Sequence, residues 1–181
     1  MRDVSELAGS WVYESSVEAA MDRADSFESF FERERDGLFG ALVIITGNRS
    51  EAEEIVQDAF LALWERWDRV REMNQPAGYL YRTAMNVFRK RWRRASVAVR
   101  RMAGMAPAGN DAFMEADRRR TVAEALATLS PRQRAALVVT DLLGYTSEEA
   151  GRMLGIRPVT VRVLASQGIA ALKNTMERSD E

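Results

Sequence analysis

The chain of 181 residues contains no cysteine and no histidine. Disulfides, thiol nucleophiles, Cys/His zinc sites and every histidine-based triad are thereby excluded. Proline is scarce, at 4, and glycine numbers 11, too few for a collagen-like or low-complexity chain. Long apolar runs are missing as well. The longest, LFGALVIIT from Leu38, falls far short of the ~20 residues that span a bilayer. The first 25 residues carry acidic side chains and lack a basic-then-apolar leader pattern, so a cytoplasmic protein is expected. An active site would have to rest on carboxylates or on Lys90 and Lys173, the only lysines. No enzyme, catalytic residue, metal or cofactor is expected.

What is present is charge, unevenly placed. The totals, 26 basic and 27 acidic, nearly cancel. Residues 1–72 hold 8 basic and 17 acidic side chains, residues 73–110 hold 8 basic and none acidic, and residues 111–181 hold 10 of each. Local potential, not the total, is what a phosphate feels. The eight central cations are Arg82, Arg89, Lys90, Arg91, Arg93, Arg94, Arg100 and Arg101. A solvated helix face normally mixes signs, because opposite charges at i,i+4 stabilise it. Nothing between Glu72 and Asp111 offsets these, so an external anion, nucleic acid above all, is the expected partner.

Hydrophobic periodicity predicts an all-α chain of two small helical domains joined by a flexible linker. Residues 1–25 read as a loosely docked extension, 26–95 as the first domain, 96–115 as the linker, 116–176 as the second domain and 177–181 as a tail. Phe27, Phe31, Leu38, Leu42 and Ile45 recur at helical spacing up to a stop at Gly47-Asn48. Ser50 and Glu53 read as a capping box for a second helix running to about Trp67. That helix leaves Glu54, Gln57, Asp58, Leu61 and Glu65 away from its apolar stripe, a face suited to solvent or to a basic partner protein. After a polar loop over 68–75, Pro76 opens a third helix expected to end near Arg94. On it, Tyr79, Tyr81, Phe88 and Trp92 interleave with the cations, as in single-strand binding by stacking and charge. Tyr81, Phe88 and Trp92 share one face and are equally suited to packing, which leaves Tyr79 as the better base-stacking candidate.

In the second block, one helix is expected over 113–129. Ser130-Pro131-x-Gln133 caps the next, and Thr146-x-x-Glu149 caps a third that stops at Leu154-Gly155. Pro158 then opens the last helix, to about Met176. A short capped helix, a glycine turn and a longer helix form the helix-turn-helix pattern, whose second helix presents its first turns to base edges.

The segments AEEIVQDAFLALW and LSPRQRAALVVTDLLGYTSEEAGRMLGI, in this order around a basic helix, resemble the extracytoplasmic-function group of bacterial RNA polymerase sigma factors. The resemblance covers Phe27–Arg94 and Thr121–Lys173. It implies that the first domain is sigma region 2 and the second region 4, with core RNA polymerase and promoter DNA as partners and an anti-sigma factor as a further one. It implies core-polymerase binding by Glu54, Gln57, Asp58 and Leu61. It gives promoter-strand and upstream-element contacts to Arg71, Asn74, Tyr79, Arg82, Asn86, Arg89, Lys90 and Arg93. Helix-turn-helix contacts to DNA fall to Arg157, Pro158, Thr160, Arg162, Val163 and Ser166. The chain departs from the group where Lys90 replaces a frequent acidic residue and Tyr79 a tryptophan. Arg157, Leu164 and Gln167 also differ, leaving the last helix poor in cations. The alternatives are a helix-turn-helix regulator that does not engage core polymerase, and a helical adaptor.

Overall fold

The computed structural model describes residues 4–101 and 125–179, with side chains at Arg23 and over 26–94 and 125–177. Among the described residues the secondary structure is helical throughout, without a strand. Helix α1 spans Val4–Thr46, α2 Arg49–Trp64, the single turn α3 Trp67–Val70 and α4 Pro76–Arg101. The second domain contains α5 Pro131–Leu137, which continues as a π-helical turn over Val138–Leu142, then α6 Ser147–Leu154 and α7 Pro158–Ser179. None of these helices is long and apolar enough to cross a membrane.

Several ends differ from the sequence expectation. The backbone expected to form an N-terminal extension is helical from Val4, continuous with α1. Asn48, not Ser50, caps α2: its side chain accepts from the Glu51 backbone N–H at 3.0 Å. Gly47, at φ of 69°, ends α1 at the expected Gly47-Asn48 stop, and with Asn48 directly after it the cap of α2 falls two residues before Ser50. The polar segment 68–75 begins inside α3, whose Trp67 and Val70 are buried. Helix α4 runs on to Arg101, through the start of the expected linker. The remainder of that linker, with most of the helix expected over 113–129, lies outside the described residues.

The first domain closes on aromatic packing. Phe27, Phe30, Phe31, Phe60, Trp64 and Trp67 place neighbouring ring centroids 4.7 to 6.5 Å apart, mostly edge to face. Such pairs contribute ~0.5–1.5 kcal/mol each beyond area burial. The Trp67 indole N–H donates to the Ser26 hydroxyl at 2.9 Å, satisfying the one polar atom of a buried ring.

The two domains share one core. Leu38, Leu42 and Ile45 of α1 and Met85 and Phe88 of α4 belong to the same buried cluster as Ala135, Val139, Ala150, Met153 and Val161. At the junction lies Arg134, only 5% exposed. Its Nε donates to the Ile45 carbonyl at 3.0 Å and its Nη2 to the Thr46 carbonyl at 3.3 Å, while Nη1 donates to the Leu126 carbonyl at 3.1 Å. The last carbonyls of a helix have no intrahelical partner and carry the negative end of its dipole. Arg134 of one domain therefore caps a helix of the other.

Candidate nucleic-acid interface

Helix α4 starts at Pro76, where the missing N–H costs nothing, and contains no carboxylate from Pro76 to Arg101. One side of it is committed to the core by Leu80, Tyr81, Ala84, Met85 and Phe88. Tyr81 and Phe88 are thus packing residues. Trp92 is half-buried, with the Arg132 guanidinium 4.5 Å from its ring centroid. Tyr79 is half-buried too; Arg82 stacks on its ring at 5.0 Å, and Arg66 Nη1 donates to its hydroxyl at 3.1 Å. The ring is held in place by two guanidiniums, and Arg71 and Asn74, on the loop that precedes α4, are exposed.

The cations sort into three kinds. Lys90, Arg93 and Arg94 are exposed and make no ion pair among the described residues. Arg89 is half-buried, donates to the Asn86 side-chain carbonyl at 3.2 Å and lies against Gly155 of the second domain. Arg91 is compensated: it forms ion pairs with Glu54 and, at 2.7 Å, with Asp58. These hydrogen bonds, the one from Glu54 first, hold its guanidinium protonated more firmly than usual. The expectation that nothing offsets the positive run therefore fails at Arg91, because counting along the chain misses carboxylates that α2 brings alongside.

The same pairing changes the acidic face of α2. Glu54, Gln57, Asp58 and Leu61 are all exposed, Leu61 at 59%. The two carboxylates are partly neutralised by Arg91, which leaves an exposed strip of mixed character. Trp64, nearly one turn beyond Leu61 and 37% exposed, extends it as an apolar edge, a residue the sequence reading assigned to neither face. Its backbone carbonyl accepts from Arg23, whose guanidinium also sits 4.6 Å from the indole centroid.

The helix-turn-helix is built as its sequence demands. Thr146 and Glu149 form a reciprocal capping box at α6, and Ser130 and Gln133 form one at α5. Gly155 turns the chain at φ of 64°, in the left-handed region open to glycine. Ala150 and Val161 are fully buried where α6 and α7 meet. On α7 and its lead-in, Arg157, Arg162, Val163 and Ser166 are exposed, and Pro158 and Thr160 half-buried. Arg162 lies 3.4 Å from Glu148. Val159, 49% exposed beside Val163 at 48%, joins this face without having been singled out in the sequence.

Two separate surfaces thus carry cations or hydrogen-bonding groups without buried catalytic partners. Among the described residues, no cluster of acidic side chains is placed to hold a metal ion.

Comparison with known proteins follows the same division. Residues 30–97 match the family Sigma-70 region 2 and residues 119–172 match Sigma-70, region 4. The chain is 24% identical over 156 residues to the RNA polymerase sigma-E factor of Streptomyces avermitilis, covering 85% of this chain and 87% of that one. It is 28% identical over 160 residues to the RNA polymerase sigma factor CarQ of Myxococcus xanthus, covering 84% and 90%. Among solved structures, it resembles the sigma factor RpoE of Bartonella quintana in complex with the anti-sigma factor NepR. That match has a TM-score of 0.66 and 19% identity, over 84% of this chain and 97% of the other. CnrH in complex with the cytosolic domain of CnrY gives a TM-score of 0.57 at 22% identity, over 90% and 94%.

Proposed function

The chain belongs to the sigma-70 family as a sigma factor of the extracytoplasmic-function group, and we propose that its residues divide the work of initiation between three faces. The exposed strip Glu54, Gln57, Asp58 and Leu61, extended by Trp64, docks on core RNA polymerase. The loop residues Arg71 and Asn74 and the α4 residues Tyr79, Arg82, Asn86, Arg89, Lys90 and Arg93 hold the melted promoter strand. Arg157, Pro158, Thr160, Arg162, Val163 and Ser166 read the upstream duplex element. The protein works in the cytoplasm and performs no chemistry of its own; polymerase does that. An anti-sigma factor is a further partner, as in the complexes of RpoE and CnrH.

The observation that carries this reading is the acid-free helix α4. Its exposed Lys90, Arg93 and Arg94 lack ion-pair partners among the described residues, and it lies one helix away from an exposed mixed face. Opening DNA requires higher affinity for the unpaired state, which stacking surfaces and backbone-tracking cations provide. The test is reconstitution with core polymerase on a promoter the protein uses, with permanganate reactivity of unpaired thymines as readout. Replacing Lys90 and Arg93 by glutamine should leave core binding intact and lower bubble formation at least ~10-fold. It should reduce the salt slope of strand binding by about 1.4, two contacts at ~0.7 each. Unchanged bubble formation and slope in the folded variant would sink the proposal. Arg91 is left out of the set because its loss would disturb α2.

A further inference from the structure

We propose that Arg91 sets how tightly the chain docks on core RNA polymerase: it holds Glu54 and Asp58, two charges of the docking strip, in ion pairs within the chain, and a basic surface of the polymerase has to compete with it for them. This inference rests on the reading of α2 as the docking helix given above. Three observations carry it.

The first is the charge of α2 and where it goes. The helix carries Glu51, Glu53, Glu54 and Asp58 against the single Arg49, so charge complementarity makes a basic surface its counterpart. Glu53 pairs with Arg49 at 3.2 Å. Glu51 is half-buried, and burial raises its pKa. Glu54 and Asp58 are the two carboxylates left to meet a partner, at 61% and 48% side-chain exposure. The second observation is the fork that holds them. Glu54 and Asp58 stand one turn apart on one face of the helix, the i,i+4 spacing. One Nη of Arg91 donates to Glu54, and the other donates to Asp58 at 2.7 Å. A planar guanidinium presents two such donors side by side, which an ammonium does not.

The third is what surrounds the pairs. Lys90, Arg91 and Arg94 of α4 face Asp58, Leu61 and Glu65 across a groove of about 500 Å³. Arg91 is in ion pairs there, whereas Lys90 and Arg94 are exposed and make none among the described residues. The competition therefore falls on one side chain. Leu61, 59% exposed, borders the same groove, so a partner seated on the docking strip meets the pairs. Partly exposed pairs add little to stability, so without Arg91 the apolar cluster still joins α2 to α4. What the pairs change is availability, because affinity falls with the fraction of molecules in the competent state. With the pairs closed about four-fifths of the time, core binding is about fivefold weaker than the bare strip would give. The difference lies mainly in the association rate and shrinks as salt rises.

The test uses the full chain and core polymerase, with association and dissociation followed by biolayer interferometry at about 50 mM and about 300 mM salt. Arg91→Gln should tighten core binding about fivefold at the lower salt and less at the higher one. Arg94→Gln removes the same charge from the same groove without breaking an ion pair among the described residues, and so controls for net charge. It should change affinity by less than about twofold. Arg91→Lys, which keeps the charge and loses the fork, should fall between and serves if Arg91→Gln fails to fold by circular dichroism. In a Glu54→Gln/Asp58→Asn background, the gain from Arg91→Gln should shrink to that of Arg94→Gln. Core affinity that is unchanged or weaker in the folded Arg91 variant overturns the proposal. So does an equal gain from Arg94→Gln, or a full gain that persists in the neutral background. Failure of the docking reading shows separately: Leu61→Ala would then leave core binding unchanged.

Discussion

Val159 and Val163 stand one helical turn apart on α7, each about half exposed. On the helix proposed above to read the duplex, a β-branched apolar side chain left in water has one natural counterpart in the major groove, the thymine methyl group. No carboxylate occurs from Pro158 to Met176, so nothing on the turns around Val159 and Val163 repels the duplex. The expected outcome is methyl-dependent reading. Replacing thymine by uracil in the upstream element should weaken holoenzyme binding about fourfold at one or two positions, the value of one buried methyl at ~0.8 kcal/mol. Val163→Ala should remove the difference between thymine and uracil at its position. Filter binding with matched templates measures both, and equal affinities for thymine and uracil throughout would refute the contact. Arg91 makes the opposite point. It sits among the exposed cations, yet its charge closes on Glu54 and Asp58, so its contribution to stability is at the α2–α4 junction and, being partly exposed, is small.

At the scale of the element, capping chemistry was the most legible part of the sequence. Ser130/Gln133 and Thr146/Glu149 each combine a short acceptor with a residue three positions on that reaches back, and both boxes form. The pair Ser50/Glu53 has the same spelling and does not, because Asn48 captures the helix start two residues earlier. A capping box is a local competition, and the tight turn at Gly47 decides it. The helix-turn-helix was readable for the same reason: its turn, caps and small residue are all local. The compensation of Arg91 and the burial of Arg134 were not readable, since each depends on a partner from another helix; Arg134 bonds to residues 88 and 89 positions away. The Glu149 carboxylate has its pKa lowered by the hydrogen bond with the Thr146 side chain first and with its backbone second. A depressed carboxylate contributes stability that is present above its unfolded value and lost as pH falls through the folded one. The melting temperature of the unmutated chain should therefore exceed that of Glu149→Gln at about pH 6, and the gap should close toward about pH 3. Thermal denaturation followed by circular dichroism measures it; a gap independent of pH would remove the box from the account.

For the molecule as a whole, the shared core couples the two domains: what loosens the junction separates the second domain from α1 and α4. Two phenols at the junction supply a handle on that coupling. Tyr81 and Tyr145 both have pKa values raised above 10.0, by burial first. Glu34 and then Tyr145 add to the shift at Tyr81, and Glu149 and then Glu34 add to it at Tyr145. Apart and hydrated, the phenols would ionise near 10, whereas docked they stay neutral to higher pH. The undocked form therefore binds fewer protons above that point, so docking is fully present below about pH 10 and is lost as pH rises through the docked values. The distance between spin labels at Glu28→Cys and Lys173→Cys, both exposed in a chain without cysteine, should lengthen over that alkaline range while helix content holds. Tyr145→Phe removes one of the two protons and should make the opening less steep in pH, from about two protons to about one. If the opening has the same steepness in Tyr145→Phe, or if helix content falls together with docking, the phenols are not what couples pH to the junction. A less steep opening with retained helices would place the pH control of the junction in the contact between α4 and the second domain.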